Sequence, residues 1–149
     1  MTLEDLYKFG KLKSHKTSPE EITNFFGIIK RGLKDAAQTN ISLDLRFISA
    51  YQAALAAAEA LLSCYGYAAP RQNYHYATWE GLRNINDKYI KSVVALFDDA
   101  RQKRGGAFYE HAGIVNETEF KALLKETKIF VDYIKNKIKK EFLDLGKNI

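Results

Sequence analysis

Hydrophobic residues recur every three or four positions along most of the chain, which is the spacing of one buried face of an α-helix. No stretch alternates hydrophobic and polar residues with the period of two that a half-buried strand requires. The helical spacing predicts helices over residues 18–40, 42–66, 74–85, 86–111 and 116–146. The sequence therefore predicts an all-α protein, an antiparallel bundle of four to five helices with short connections.

The chain length fits one domain over residues 1–149, large enough to bury a core. Residues 1–16 mix apolar side chains with lysines, and we expect them to form a short N-terminal helix or strap. Residues 53–60 are nearly all alanine. Because small side chains let neighbouring helices approach closely, we expect the helix that contains them at the centre of the bundle.

Residues that favour helix ends stand at the borders of these segments. Thr17-Ser18-Pro19 predicts a helix start, since a hydroxyl caps free amides and proline fits the first turn. Ser42 predicts a second cap, and residues 116–119 (Asn-Glu-Thr-Glu) have the spacing of a capping box. Gly66 is expected to end the second long helix because glycine readily adopts a positive φ.

Charge and cysteine content add two expectations. The net charge of +5 is compatible with an anionic partner. The one cysteine, Cys64, cannot form a disulfide within the chain, which favours a reducing compartment. We expect a cytoplasmic protein, since the N-terminus is too charged for a signal peptide and no segment approaches about 18 apolar residues. Three scattered histidines and one cysteine predict no metal site, and no cofactor is expected.

A basic stripe ends the helix over residues 86–111. The inward spacing of Ile90, Val94 and Phe97 continues at Arg101, Arg104, Phe108 and His111. Arg104 and His111 are separated by about two helical turns, roughly 10 Å along the axis, and are predicted to point the same way. Gly105 and Gly106 lie between them and predict a kink or a close backbone approach.

This arrangement has the components of metal-independent RNA cleavage. Arg104 would hold the phosphate with paired hydrogen bonds, and His111 would transfer protons near neutral pH. Tyr109 would orient a phosphate or stack on a base, while Arg101 and Lys103 would add electrostatic attraction. We therefore predict Arg104 and His111 as candidate catalytic residues and the other three as candidate binding residues.

Simpler interpretations stay open for the same residues. Basic side chains near a helix end are often only solvated, and Asp98 and Asp99 have the spacing to pair with residues 101–103. Glu59 is either a buried partner for one of the arginines or a residue on a solvent edge. His75 is either part of a base-binding site or a histidine on an aromatic cluster that includes Trp79, which with Leu82 is expected to face inward.

The chain resembles an uncharacterised branch of the bacterial HEPN superfamily. The resemblance rests on four groups of residues in this order: Gly10-Lys11-Leu12 with Thr17-Ser18, Ile41–Phe47 leading into Ala50–Leu55, Gly66-Tyr67 before Tyr74–Tyr76, and Arg101–Arg104 before Tyr109. It implies a four- or five-helix bundle, usually a homodimer with a cleft between the subunits. In active relatives an arginine and a histidine with four to six residues between them form the ribonuclease site, and Arg104 and His111 match that spacing with six between. Gly105 stands where relatives commonly have a polar residue.

Two functions are therefore expected. The first is a HEPN-like protein that handles RNA or nucleotides, including the possibility of an endoribonuclease of a toxin or stress-response system. The second is a non-catalytic dimeric helical module that binds a protein or nucleotide partner. In the second case the basic stripe is an interface or an ion-pair layer completed by Asp98, Asp99 or Glu59.

Overall fold

The computed structural model describes residues 1–149 as six α-helices and one short pair of antiparallel strands. This confirms the predicted all-α helical bundle. The helices are α1 (Leu3–Lys8), α2 (Pro19–Ala36), α3 (Leu43–Cys64), α4 (Tyr74–Arg83), α5 (Lys88–Tyr109) and α6 (Glu117–Glu141). The strands are β1 (Lys13–Ser14) and β2 (Tyr67–Ala68).

The alanine-rich helix α3 lies at the centre of the bundle, as predicted, and contacts α2, α4, α5 and α6. All its alanines are fully buried or nearly so. The approach of α2 is close enough that a Cβ on Gly32 would lie 2.8 Å from the carbonyl oxygen of Ser49. Small side chains on both helices therefore set the distance between α2 and α3.

The predicted helix caps are confirmed. Ser18 Oγ accepts a hydrogen bond from the Glu21 amide at 3.1 Å, and Pro19 is the first residue of α2. Asn116 forms both hydrogen bonds of the capping box at the start of α6. Gly66 has a φ of +94° just after α3. Two predicted ends are wrong, because α2 ends before residues 39–40 and α6 ends before residue 146.

The N-terminal segment contains both a helix and a strand. After α1, Lys13 and Ser14 pair antiparallel with Ala68 and Tyr67, a pairing that the sequence pattern did not predict. Leu6 and Leu12 are each only 3% exposed and join the core. The segment therefore closes one side of the bundle over the loop that leads to α4.

Aromatic rings connect α4 to α5 and α6. Trp79 is 1% exposed, stacks on Phe97 with ring centroids 5.1 Å apart, and contacts Phe130 at 6.0 Å. Leu82 is also fully buried. The inward orientation predicted for Trp79 and Leu82 is confirmed, and this contact packs the middle of α4 against the middle of α5.

The helix α5 is continuous through Gly105 and Gly106. The close approach predicted at the glycine pair is confirmed at Gly106, where an added Cβ would lie 3.0 Å from Cδ1 of Ile114. Its first turn is capped by Asp87, whose carboxylate accepts a hydrogen bond from the Ile90 amide at 3.0 Å. The helix ends at Tyr109, where the His111 amide donates a hydrogen bond to the carbonyl of Gly106. His111 therefore lies beyond the helix rather than on its last turn.

We expected no segment to be apolar enough to cross a membrane, and this expectation is wrong. Judged only by its length and composition, helix α3 could span one, and 78% of its most apolar window is buried inside the domain. Its apolar character follows from its central position, where four other helices cover it.

Candidate functional site

A cleft of about 360 Å³ lies between the start of α4 and the end of α5. Three arginines, three tyrosines and one histidine contribute to its walls, together with one asparagine and one glycine. The residues that line it are Arg71, Asn73, Tyr74, His75, Tyr76, Arg101, Arg104, Gly105 and Tyr109. No aspartate or glutamate lines the cleft, so its walls carry positive charge only.

Arg104 has no carboxylate partner in the structure. Its Nε is buried and makes no hydrogen bond, and its guanidinium lies 5.4 Å from the ring centre of Phe108 and 6.0 Å from that of Tyr109. A guanidinium over aromatic rings keeps its hydrogen-bond donors for another acceptor. Arg104 and the exposed Arg71 are therefore the arginines of the cleft that no carboxylate neutralises.

Arg101 is partly neutralised. Its Nε binds Asp98 Oδ1 at 2.8 Å, and its guanidinium lies 5.6 Å from the ring centre of Tyr76. This is the pairing between neighbouring turns that the sequence left open as the simpler interpretation. The Arg101 side chain still lines the cleft and is 28% exposed.

Lys103 does not belong to the cleft. Its Nζ lies 3.0 Å from Glu119 Oε2 on α6, and the side chain lines a different cavity between α5 and α6. Glu119 also closes the capping box at the start of α6. Lys103 therefore connects two helices, and the structure does not place it with the other predicted binding residues.

His75 lies in the first turn of α4 and contributes to the cleft. Its Nδ1 is 3.0 Å from the hydroxyl of Tyr51, and the Tyr74 ring lies nearly perpendicular to the imidazole with centroids 4.9 Å apart. Burial, together with the positive charges of Arg104 and Arg101, lowers the pKa of His75 to about 4. The histidine is thus neutral at physiological pH. It belongs to the aromatic cluster and also lines the cleft, so its position fits both interpretations of the sequence.

His111 is exposed and does not line the cleft that contains Arg104. The helix that would have aligned the two side chains stops at Tyr109, which is 73% exposed and does reach the cleft. The structure therefore brings Arg104 and Tyr109 together and leaves His111 outside. Catalysis by Arg104 with His111 stays a prediction.

Glu59 pairs with neither arginine of α5. Burial raises the pKa of its carboxyl to about 7, although a hydrogen bond with Tyr74 opposes the shift. The carboxyl lines a cavity of about 190 Å³ on the far side of Tyr74, beside His15 and Glu21. Glu59 therefore does not neutralise the cleft. No group of three or more histidine, cysteine or acidic side chains is arranged to hold a metal ion.

Two residues that line the cleft, Arg71 and Asn73, were missed from the sequence, as was Tyr51, which contacts His75 without lining the cleft. Arg71 lies in the loop before α4. Its position three residues before the Tyr-His-Tyr segment could have indicated that it belongs to the cleft. Tyr51 is fully buried on α3 and contacts His75 from 24 residues away. Asn73 takes a left-handed φ of +53° and offers no side-chain cap, so the first amides of α4 border the cleft without a side-chain partner.

A second cavity of about 330 Å³ shares Asn73 and Tyr76 with the cleft and extends towards α1. Its walls include Lys11 and Glu80 among apolar residues such as Leu12. Because it lacks the arginines, it offers no concentrated charge for an anionic ligand.

The chain matches no protein-family model, no curated protein and no solved structure. The resemblance to the HEPN superfamily therefore stays a prediction, and the candidate site depends on its own geometry.

Proposed function

We propose that this protein is a HEPN-like RNA-binding protein that holds one phosphate and one or two bases of single-stranded RNA in the cleft between α4 and α5. The observation that carries the proposal is Arg104, a guanidinium without a carboxylate partner in a cleft without acidic walls. Arg71 and Arg101 add positive charge on either side of it.

The chemistry of the walls fits a nucleotide unit. Arginine binds phosphate oxygens through paired, charge-assisted hydrogen bonds, and the uncapped start of α4 favours the same charge. Tyr76 and Tyr109 are 48% and 73% exposed, so their rings are free to stack on unpaired bases. A volume of about 360 Å³ is at the small end of ligand sites, which suits one nucleotide rather than a duplex.

Binding without cleavage is the form of this function that the geometry favours. The proton-transferring residue proposed from the sequence, His111, lies outside the cleft, and the histidine inside it is held neutral. In a homodimer, a second copy would add its own arginines to the same RNA. We propose a cytoplasmic location for such a protein, in keeping with its single unpaired cysteine.

Replacing Arg104 with alanine should weaken binding of a fluorescent single-stranded RNA by about 10–100-fold, because a hydrogen bond to a charged group contributes about 1.5–3 kcal/mol. The slope of log affinity against log salt should fall by about one, since one phosphate contact is lost. Fluorescence anisotropy at several salt concentrations measures both quantities.

Arg31→Ala is the matched control, because Arg31 is an exposed arginine on α2 that lines none of these cavities. It removes the same charge and should change the affinity less than twofold. Equal losses in the two variants would show that the RNA responds only to net charge. Binding that does not depend on salt, or no binding at all, would favour a protein partner.

The same RNA should stay intact when incubated with the wild-type protein in excess EDTA and separated on a denaturing gel. Cutting by the wild type that disappears in His111→Ala would overturn this expectation and restore the endoribonuclease. Cutting that persists in His111→Ala and Arg104→Ala would indicate a contaminating nuclease.

A further inference from the structure

Three aromatic side chains from two helices form a hydrogen-bonded chain that ends at the cleft. Trp79 Nε1 lies 3.1 Å from the hydroxyl oxygen of Tyr51, and that oxygen lies 3.0 Å from Nδ1 of His75. Trp79 and Tyr51 are 1% and 0% exposed, so water does not compete for these groups. The Nε2 atom of His75 makes no hydrogen bond within the protein, and the side chain lines the cleft.

The available hydrogen-bond donors determine the direction of these two hydrogen bonds. The indole of Trp79 can only donate, so Tyr51 must accept from it. The hydroxyl hydrogen of Tyr51 then has one acceptor within reach, Nδ1 of His75. Burial raises the pKa of Tyr51 to about 12, so the hydroxyl keeps that hydrogen at neutral pH. Nδ1 is therefore an acceptor, and the single hydrogen of the neutral ring must be on Nε2.

The charges around the imidazole keep it neutral. Arg101 and Arg104 face it from α5, Arg71 lies in the same cleft, and the hydroxyl groups of Tyr51 and Tyr74 are its uncharged titratable neighbours. Protonation of Nδ1 would break the bond from Tyr51 and add a positive charge beside the arginines. The ring therefore offers a hydrogen-bond donor but no proton that it can readily transfer.

We infer that His75 is a binding residue of the cleft whose Nε2–H, oriented by Tyr51 and Trp79, donates a hydrogen bond to a phosphate oxygen of the ligand held by Arg104. The inference rests on the proposed function and deepens it, because it names the atom that donates a hydrogen bond to the ligand's phosphate. The same chemistry would serve a phosphodiester of RNA or the phosphate of a free nucleotide. A neutral donor adds no charge, so it binds an acceptor without adding to the salt dependence.

The tautomer of His75 is measured on the full-length protein without any ligand. Long-range proton–nitrogen NMR should show Nε2 carrying the hydrogen and Nδ1 as an acceptor throughout pH 5.5–8, with His75→Gln used to assign the signals. Tyr51→Phe removes the orienting hydroxyl and should give a mixture of tautomers. A wild-type ring with its hydrogen on Nδ1, or a doubly protonated ring at pH 6.5, would overturn the inference.

Binding is then compared for His75→Ala and His75→Gln. A hydrogen bond to a charged group contributes about 1.5–3 kcal/mol, so the alanine variant should bind the fluorescent RNA about 10–100-fold more weakly. Glutamine keeps an N–H donor near the Nε2 position and should recover most of the affinity. Both variants should keep the wild-type salt slope, which a loss of structure or of charge would change.

The two proposals fail in different ways. If wild type binds RNA with a salt slope but His75→Ala binds equally well, the role of His75 is wrong and the RNA-binding function stands. If wild type binds neither the RNA nor adenosine monophosphate, both proposals are wrong. Tighter binding of the RNA than of the mononucleotide supports a phosphodiester ligand, while the reverse supports a free nucleotide.

Discussion

Replacing Trp79 with alanine should lower the free energy of unfolding by about 3–5 kcal/mol, the usual cost of removing a large buried aromatic side chain. Trp79 is 1% exposed and packs against both Phe97 on α5 and Phe130 on α6, which also contact each other at 4.7 Å. A cavity at this position would remove the indole contact from both rings. Urea unfolding followed by circular dichroism at 222 nm measures the loss.

Tyr76→Ala provides the control for this result. Tyr76 lies on the same helix and is also aromatic, but it is 48% exposed and lies at the cleft. Its removal should change the free energy of unfolding by less than about 0.5 kcal/mol, as for most surface positions. A loss below about 1 kcal/mol for Trp79→Ala would mean that α4 is not packed on the core as the structure places it.

Asp87→Ala should have the second largest effect, a loss of about 2–4 kcal/mol in the free energy of unfolding. The carboxylate caps α5 and also accepts hydrogen bonds from Tyr133 at 2.7 Å and from Lys137 at 3.0 Å. Loss of a cap costs about 1 kcal/mol, and loss of a hydrogen bond to a charged group about 1.5–3 kcal/mol. The side chain of Lys137 is 12% exposed and would keep only Glu141 as its partner.

The acid dependence of stability separates the charge of Asp87 from its role as a cap. Burial by itself raises the pKa of Asp87, but the hydrogen bonds from Ile90, Tyr133 and Lys137 together lower it below the usual value. A carboxyl with a lowered folded pKa stabilises the fold fully above its unfolded pKa, near 4, and loses this contribution as the pH falls through the folded value.

Asp87→Asn keeps the capping oxygen and removes the charge, so it should be more stable than Asp87→Ala at pH 7. The difference in unfolding free energy between wild type and Asp87→Asn should be largest near neutral pH and shrink below about pH 4. A difference that stays constant from pH 7 to pH 3 would show that the charge of Asp87 contributes nothing.

Much of the cleft could be anticipated from the sequence because its residues belong to two short segments. The basic stripe of α5 supplied Arg101 and Arg104, and the aromatic segment at the start of α4 supplied His75. The sequence pattern could not show which basic side chains are paired with a carboxylate. Lys103 and Arg104 are adjacent in sequence, but one binds Glu119 on another helix and the other has no carboxylate partner.

Helical spacing alone predicted the wrong position for the His111 side chain. Two helical turns would have aligned it with Arg104, and the glycine pair did not break the helix. The helix nevertheless ends two residues before His111, where the amides of Glu110 and His111 both donate to the carbonyl of Gly106. Whether a residue lies just inside or just outside a helix determines where its side chain points, and helix ends are the part of a helix that a sequence pattern predicts least well.

The sequence by itself determined the long helices of this protein, the caps of α2, α3 and α6 and the central position of α3, because these follow from interactions between residues three or four positions apart and from the small size of alanine. The tertiary structure alone decided that Tyr51 and Trp79 orient His75, that α4 lies against the end of α5, and that Arg104 is left without a carboxylate partner. Those facts depend on how separate helices pack against one another, and the spacing of residues along the chain does not determine the distance between helices.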